Sequence, residues 1–339
     1  MFATTLHDLT PFGSPDGSRA NLEDITKGFV NFGNPSAWGG LSTPPDDLTA
    51  RVLVGRKGSG KTVYLRRLRA HAVLEKSLYA DNIQQDLPTT ENVVKYCQWF
   101  PKDILTEKWM DLWRKAILRS LTSHILCNKH LSSHTDTESR RRLSVDFKDL
   151  IRPYTAHVSV YSQVNEIIND HYSRPSVEKF LAKPTWNELE TVLADVLSGS
   201  PPICFYLDAV DEEFAHAPMY WLRCQKGLFY QTMRFVRDSQ LGSRLHLIIC
   251  MRDIVLASVF KSEHQTRYRG EPHIRILSWN RRSIQYFLEQ KLTQLDDRLF
   301  AGDCKNGKTP SAWLGIKEVK HLSRGGTEPI MQYLLRPHR

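Results

Sequence analysis

The 339-residue chain has few cysteines, no long apolar run and no leader-like N-terminus. A membrane-spanning helix needs about 18 or more consecutive apolar residues, and no stretch approaches that length. The first residues, MFATTLHDLTPFG, lack the basic segment and apolar core that mark a signal peptide. The six cysteines are widely spaced, which favours reduced thiols over a disulfide framework. We therefore expect a cytoplasmic protein that does not associate with membranes.

Positive charge is in excess, with 46 Lys and Arg against 37 Asp and Glu, for a net charge of +9. The excess is scattered, with short clusters at 66–67, 140–142 and 281–282. A basic surface can attract nucleic acid or acidic partners. No RNA-binding aromatic motif, zinc-finger spacing or long basic tail accompanies it, so only the charge supports a nucleic-acid partner.

The stretch 51–62, RVLVGRKGSGKT, joins an apolar strand-like run to a glycine-rich octet. The octet matches the phosphate-binding pattern G-x-x-x-x-G-K-[ST] at every fixed position. Its glycines allow successive N–H groups to surround phosphate oxygens, while Lys61 can reach the β- and γ-phosphates and Thr62 can ligate Mg²⁺. The N-terminus of the following helix adds a positive dipole end. The stretch predicts a site for ATP and Mg²⁺, formed by Gly55, Gly58, Ser59, Gly60, Lys61 and Thr62.

A second chemical landmark is the segment 201–213, PPICFYLDAVDEE. Its continuous apolar run has the length of a parallel strand that is buried on both faces. Asp208 follows at the carboxyl end of that strand, the edge at which open α/β sheets bind ligands, and can hold Mg²⁺. Asp211 and Glu212 come next, and either one can polarise the attacking water. The alternative is that these acids cap the following helix.

Arginines follow the next two strands along the chain. Arg252 ends the apolar run 245–250 and is our candidate for a side chain beside the γ-phosphate. Arg267 and Arg269 precede a last strand at 273–277, and one of them could enter the site of a neighbouring subunit. The alternative for Arg252 is simple pairing with Asp253, and the alternative for Arg267 and Arg269 is an ordinary surface arginine.

The region between about 82 and 200 reads as a large helical insertion. Apolar residues recur there with the spacing of a buried helix face. His124, Cys127, His130 and His134 also fall near one helix face, which invites a zinc interpretation. No second cysteine pair supports it, so a helix end with exposed histidines is the preferred alternative. We predict helices at Ile104–Leu126, Tyr161–His171 and Thr185–Leu197.

These patterns divide the chain into three parts. Residues 1–50 form an N-terminal extended segment, and 51–279 form an ATPase core with its insertion and a second strand at Ser77–Ala80. Residues 280–339 form a helical lid, with helices at Arg282–Leu292, Ser311–Leu322 and Thr327–Leu335. The fold class is therefore α/β, with a parallel sheet carrying the glycine-rich loop.

The order of these motifs resembles the AAA+ and STAND branches of the P-loop ATPases. The run LDAVDE at 207–212 is particularly similar to the D-G-x-D-E form of NACHT-type STAND proteins, with Ala209 in place of glycine. The resemblance implies a P-loop NTPase with ASCE or RecA-like strand order. It also implies Asp208 as the Mg²⁺ ligand, Asp211 or Glu212 as the hydrolytic acid, and Arg252 as the arginine after the fourth core strand. Self-association or a protein partner, and antiphage defence, are expected by analogy.

The sequence departs from the family at its ends and beside the metal-binding acid. No effector domain, sensor array or winged-helix domain is visible, which suits either a fragment or a compact subunit with separate partners. Ala209 replaces the acid that directly follows this aspartate in many AAA+ motors, so we expect slow hydrolysis. The favoured function is a regulatory ATPase switch. The alternatives are a small-molecule phosphotransferase, with Asp81 as its acceptor-binding acid, and a nucleotide-gated DNA scaffold.

Overall fold

Five parallel strands form the central sheet of the computed structural model, with helices packed on both faces. The structure describes residues 25, 51–74, 78–152, 154, 156–208, 217–261, 265–268, 270–305, 307–320 and 325–335. The strand order is β2-β3-β4-β1-β5. The strands are β1 at Val52–Gly55, β2 at Tyr79–Gln84, β3 at Ile203–Asp208, β4 at Leu245–Met251 and β5 at Ile274–Leu277. The predicted α/β class with a parallel sheet is confirmed.

The three central strands are buried along their whole length. Successive side chains of a strand point to opposite faces, and each face of this sheet has its own hydrophobic core. Val52 and Val54 belong to the larger core, which contains the insertion, whereas Leu53 packs into a smaller core against the other face. Continuous apolar runs therefore form these strands because both of their faces are covered.

The sequence prediction missed most of β2. We expected a strand at Ser77–Ala80, but Ser77 lies outside the described residues and β2 continues to Gln84. Its second half is polar and does not read as a strand. Asp81 and Gln84 are nevertheless buried, and the Gln84 amide donates a 2.8 Å hydrogen bond to the Asp81 carboxylate. This pairing allows two polar side chains to lie inside the fold.

Helices fill the connection between β2 and β3, as the apolar spacing predicts. A 14-residue helix, α1 at Lys61–Leu74, first joins β1 to β2. The insertion then comprises α2 at Thr90–Trp99, α3 at Leu105–Cys127, α4 at Lys129–Ser133, α5 at Thr137–Arg141, a π-helical turn at Arg142–Asp146, α6 at Val160–Asp170, α7 at Arg174–Leu181 and α8 at Thr185–Ser198. The three predicted helices correspond to α3, α6 and α8, each within one residue at either end.

The longest insertion helix, α3, packs closely on α9, which spans Pro218–Val236. Trp109 and Trp113 are buried in this contact, and the Trp113 indole donates a 2.9 Å hydrogen bond to the Cys224 carbonyl. A Cβ added to Gly227 would lie 2.4 Å from the Trp109 Cβ. The two helices can approach this closely because residue 227 has no side chain. The insertion is thus an integral part of the core.

The C-terminal part is less helical than predicted. It contains α10 at Asp253–Phe260, α11 at Arg281–Gln294, α12 at Pro310–Leu314 and α13 at Ile330–Leu334. Between the last two helices, β6 at Glu318–Lys320 pairs antiparallel with β7 at Thr327–Pro329. The expected helix at Ser311–Leu322 therefore ends already at Leu314, and the expected helix at Thr327–Leu335 begins only at Ile330.

Two residues explain the shortened helices. Gly315 adopts a left-handed conformation with φ of 68° and caps the end of α12. Pro329 has no N–H group and is tolerated only near the start of a helix, so α13 begins directly after it and no helix continues through it from Thr327. Within the described part of the chain, no helix is both long and apolar enough to cross a membrane.

Candidate functional site

The glycine-rich octet forms a tight loop between β1 and α1. Gly58 and Gly60 have φ angles of 77° and 89°, which are left-handed conformations that residues with a Cβ rarely adopt. A Cβ on Gly55 would lie 2.3 Å from the Ser59 Oγ and 3.0 Å from the Leu277 carbonyl oxygen. The loop therefore requires glycine for its backbone turns at two positions and for close packing at a third.

Two polar side chains of this loop, Ser59 and Lys61, are buried. Ser59 is 4% exposed, and its Oγ has no hydrogen-bond partner among the described residues. The Lys61 ammonium folds back into the loop and donates 2.9 Å hydrogen bonds to the carbonyl oxygens of Gly55 and Arg56. A buried hydroxyl without a partner costs free energy unless a ligand or water satisfies it. The loop thus holds a positive charge and an unused donor close together.

Asp208 lies beside the first turn of α1. The Thr62 hydroxyl donates a 2.7 Å hydrogen bond to the Asp208 Oδ2. Asp208 is 4% exposed, and this burial raises its pKa, while the Thr62 hydrogen bond and the Lys61 charge act in the opposite direction. Two oxygen ligands of the type that Mg²⁺ prefers therefore lie together next to the glycine-rich loop.

The sheet topology explains why residues 146 positions apart meet. Strand β4 lies between β1 and β3, and Ile249 is in register with both Val52 and Leu207. All five strands are parallel, so their carboxyl ends share one edge of the sheet. The loop after β1 and the aspartate that ends β3 consequently project from the same edge.

The structure describes only some of the remaining residues to which the sequence assigned a role in catalysis. Asp211 and Glu212 lie in 209–216, outside the described residues, as does Arg269. Arg252 caps the start of α10 at the tip of β4, on the same sheet edge as the loop. Arg267 is exposed, with its guanidinium carbon 5.9 Å from the centre of the Tyr268 ring. The roles of all five side chains stay predictions.

Sequence reasoning missed two contacts of the loop. The Trp279 indole donates a 3.2 Å hydrogen bond to the Ser59 carbonyl, and its ring packs edge-on against Phe287 of α11, with centroids 5.4 Å apart. The Arg56 guanidinium lies 3.3 Å from the Asp253 carboxylate, although both side chains are largely exposed. Trp279 follows β5 by two residues. A position just after a parallel strand indicates the same sheet edge as the loop, so the sequence did contain a signal for this contact.

The histidines near the end of α3 do not converge on a metal site. Contrary to the expectation of exposed side chains, His124 is completely buried, with its Nδ1 3.0 Å from the Tyr79 hydroxyl. His130 and His134 are exposed and contact each other. Among the residues that the structure describes, no group of three or more His, Cys, Asp or Glu side chains could hold a metal ion.

No protein-family model, curated protein or solved structure matches this chain.

Proposed function

We propose that the chain is a P-loop ATPase of the AAA+ and STAND type, which binds ATP with Mg²⁺ and hydrolyses ATP slowly. The observation that carries this proposal is the 2.7 Å contact between Thr62 and Asp208 beside the glycine-rich loop. The strand order supports the ASCE assignment, since one strand separates the loop-bearing strand from the strand that ends in the aspartate.

The residues present fit the two cofactors. The left-handed Gly58 and Gly60 suit a backbone that turns its N–H groups toward phosphate oxygens, and the Ser59 hydroxyl has donor capacity to spare. Lys61 would exchange its two carbonyl partners for the β- and γ-phosphates. Thr62 and Asp208 would hold Mg²⁺, whose positive charge would offset the negative charge that develops on the phosphates.

A regulatory switch is the version of this function that we favour. The loop is tied through Trp279 to Phe287 of α11, so a change in the loop can reach the C-terminal helices directly. Arg252 is positioned at the tip of β4, where it could respond to the γ-phosphate. We propose that ATP binding alters this connection and promotes self-association or binding of a protein partner, with Asp211 or Glu212 driving a slow reset.

The proposed location is the cytoplasm, which the six free thiols support. The proposed biological setting is antiphage defence, by analogy with the family that the sequence resembles.

The phosphotransferase alternative gains no support from Asp81. That side chain is 5% exposed and accepts a hydrogen bond from Gln84, so it is poorly placed to bind a diffusing acceptor.

ATP binding and turnover, measured together with the mass of the assembly, test the proposal. Lys61→Ala should abolish or severely weaken ATP binding, whereas Lys57→Ala, in the same loop but exposed, is the matched control. Asp211→Asn and Glu212→Gln should retain binding, and at least one should lose hydrolysis. The assembly should grow only when ATP and Mg²⁺ are both present.

Three results would contradict the proposal. Equal ATP affinity in Lys61→Ala and wild type would show that the loop is not the binding site. Normal hydrolysis in both acid variants would exclude the assigned hydrolytic residues. Turnover that requires an added acceptor molecule would establish a phosphotransferase instead.

A further inference from the structure

A cavity of about 300 Å³ lies within the helical insertion. Four segments form it: α3, the turn that follows the π-helix, the end of α6, and α7 together with Lys183 just beyond its end. None of its lining residues belongs to the glycine-rich loop or to the central strands. The residues that line it are Arg119, Lys148, Asp149, Leu150, Ile151, Arg152, Asp170, His171, Phe180 and Lys183.

The innermost charge of this cavity is Arg119. Its side chain is 3% exposed, and its Nε has no hydrogen-bond partner among the described residues. Its Nη2 forms an ion pair with the Glu166 carboxylate at 3.9 Å, which is longer than a hydrogen bond. A buried guanidinium with an unused donor is costly unless an anion completes its contacts. Arg119 therefore indicates the kind of ligand that the cavity suits.

Positive charge predominates around the opening of this cavity. Four cationic side chains line the cavity against two carboxylates, and one of these carboxylates, Asp170, is already paired with Arg152. Lys148 is exposed, while Lys183 is half-buried and donates to the Asp149 carbonyl. The excess of positive charge matches a dianion better than a single carboxylate.

An aromatic wall lies beside these cations. The His171 and Phe180 rings are 4.9 Å apart, and the Lys183 ammonium lies 5.7 Å from the centre of the Phe180 ring. Burial lowers the pKa of His171; the Asp170 carboxylate acts in the opposite direction, while the positive charges of Arg119 and Lys183 also lower it, so the ring is neutral at pH 7. A flat neutral surface next to a cluster of cations suits a ring attached to a phosphate.

We propose that this cavity binds a small phosphate monoester, with the phosphate on Arg119, Lys148 and Lys183 and an attached ring against Phe180. A guanidinium presents a planar fork of donors that matches two phosphate oxygens, and the lysines add point charges. The site is separate from the proposed ATP site and does not depend on it. It would give the insertion a ligand of its own.

Calorimetric titration of the full chain with inorganic phosphate, adenosine monophosphate and malate tests this site. Each titration is made on wild type and on Lys61→Ala, which separates binding in the cavity from binding at the glycine-rich loop. Adenosine monophosphate should bind saturably in both proteins and more tightly than inorganic phosphate, because only the nucleotide carries a ring.

Charge reversal at the rim supplies the decisive variant. Lys148→Glu with Lys183→Glu should weaken adenosine monophosphate binding by about tenfold or more in the Lys61→Ala background, as loss of charge-assisted contacts predicts. The matched control reverses Lys129 and Lys179, which are exposed and do not line the cavity. It should change the affinity by less than about twofold. Thermal melts of both double variants check that they fold.

Three outcomes would overturn the proposal. The first is the absence of saturable binding of phosphate and adenosine monophosphate to the Lys61→Ala protein at millimolar concentration. The second is an equal loss of affinity in the rim variant and the control. The third is tighter binding of malate than of either phosphate compound, which would assign the cavity to dicarboxylates. Loss of ATP binding at the loop would leave all three readouts unchanged, so the two sites are tested separately.

Discussion

His124 makes the stability of this protein depend on pH in a way that can be calculated. Its ring is completely buried in α3, stacked on His157 and packed against Phe205, with centroid distances of 4.7 Å and 5.0 Å. Burial lowers the pKa of His124 from 6.5 to about 4, and His157 adds to that effect. The carboxylate of Asp81, 3.5 Å from the Nε2, acts in the opposite direction but does not prevail.

Stability should fall as the pH falls, because the unfolded chain binds the proton at a higher pH than the folded protein does. The unfolded chain, with its histidine pKa near 6.5, takes up a proton as the pH falls, while the folded protein resists protonation until about pH 4. The contribution of His124 is therefore complete above pH 6.5 and is lost as the pH falls toward 4. A shift of this size corresponds to about 3 kcal/mol in total, of which about 2 kcal/mol is lost by pH 5.

Urea unfolding at pH 8, 7, 6 and 5 measures this loss. In His124→Gln the free energy of unfolding should fall by about 2 kcal/mol less between pH 8 and pH 5 than in wild type. His134→Gln, at an exposed histidine, should keep the wild-type slope. The slope is compared rather than the absolute stability, because the substitution also changes packing.

Two results would refute this reasoning. Equal slopes in wild type and His124→Gln would mean that the His124 pKa is not lowered. A steeper loss of stability in the variant would mean that His124 is protonated and forms a buried ion pair with Asp81, the reverse of the charge state argued from burial.

Three further substitutions have expected outcomes. Gly227→Ala should lower the free energy of unfolding by about 1–3 kcal/mol in urea titrations, because the new Cβ collides with Trp109, whereas Gly199→Ala, with no atom closer than 3.9 Å, should be nearly neutral. Gly55→Ala should weaken ATP binding by about tenfold or more in calorimetry, since the loop must shift to accommodate a methyl group, and unchanged affinity would show that it can. Trp279→Phe should retain ATP binding but uncouple it from assembly in mass measurements. Full ATP-dependent assembly in that variant would exclude the proposed connection through the indole.

Local patterns were sufficient for the glycine-rich loop and for the strand that ends in Asp208. The loop depends on residue types at fixed spacing, and β3 is a continuous apolar run because both of its faces are covered. The parallel arrangement then places both at one edge. Apolar periodicity also predicted the boundaries of α3, α6 and α8, since α3 is buried along most of its length, whereas the shorter α2, α4, α5 and α7 were not predicted.

Other features depend on contacts between distant residues. The polar half of β2 has its partners in the insertion: the Val160 N–H donates a 2.8 Å hydrogen bond to the Gln84 side chain, and the His124 ring lies 3.5 Å from the Asp81 carboxylate. The C-terminal hairpin overrides a helical pattern because Gly315 and Pro329 stop the helices on either side of it. The Trp279 contact spans 220 positions in the chain, and the Arg119 cavity requires four separate segments to converge. No sequence window contains that information.

The placement of β4 has a consequence for variation in this protein. Neighbouring strands of a sheet are about 4.8 Å apart. Because β4 lies between them, β1, which leads to Thr62, and β3, which ends in Asp208, are two such spacings apart. The backbone hydrogen bonds of β4 to both neighbours fix that spacing, whereas the Ile249 side chain stands roughly perpendicular to the sheet and packs into the larger core. A substitution that breaks this backbone ladder, such as Ile249→Pro, should thus behave in assays like damage to the Thr62–Asp208 pair itself, although residue 249 is remote from both side chains.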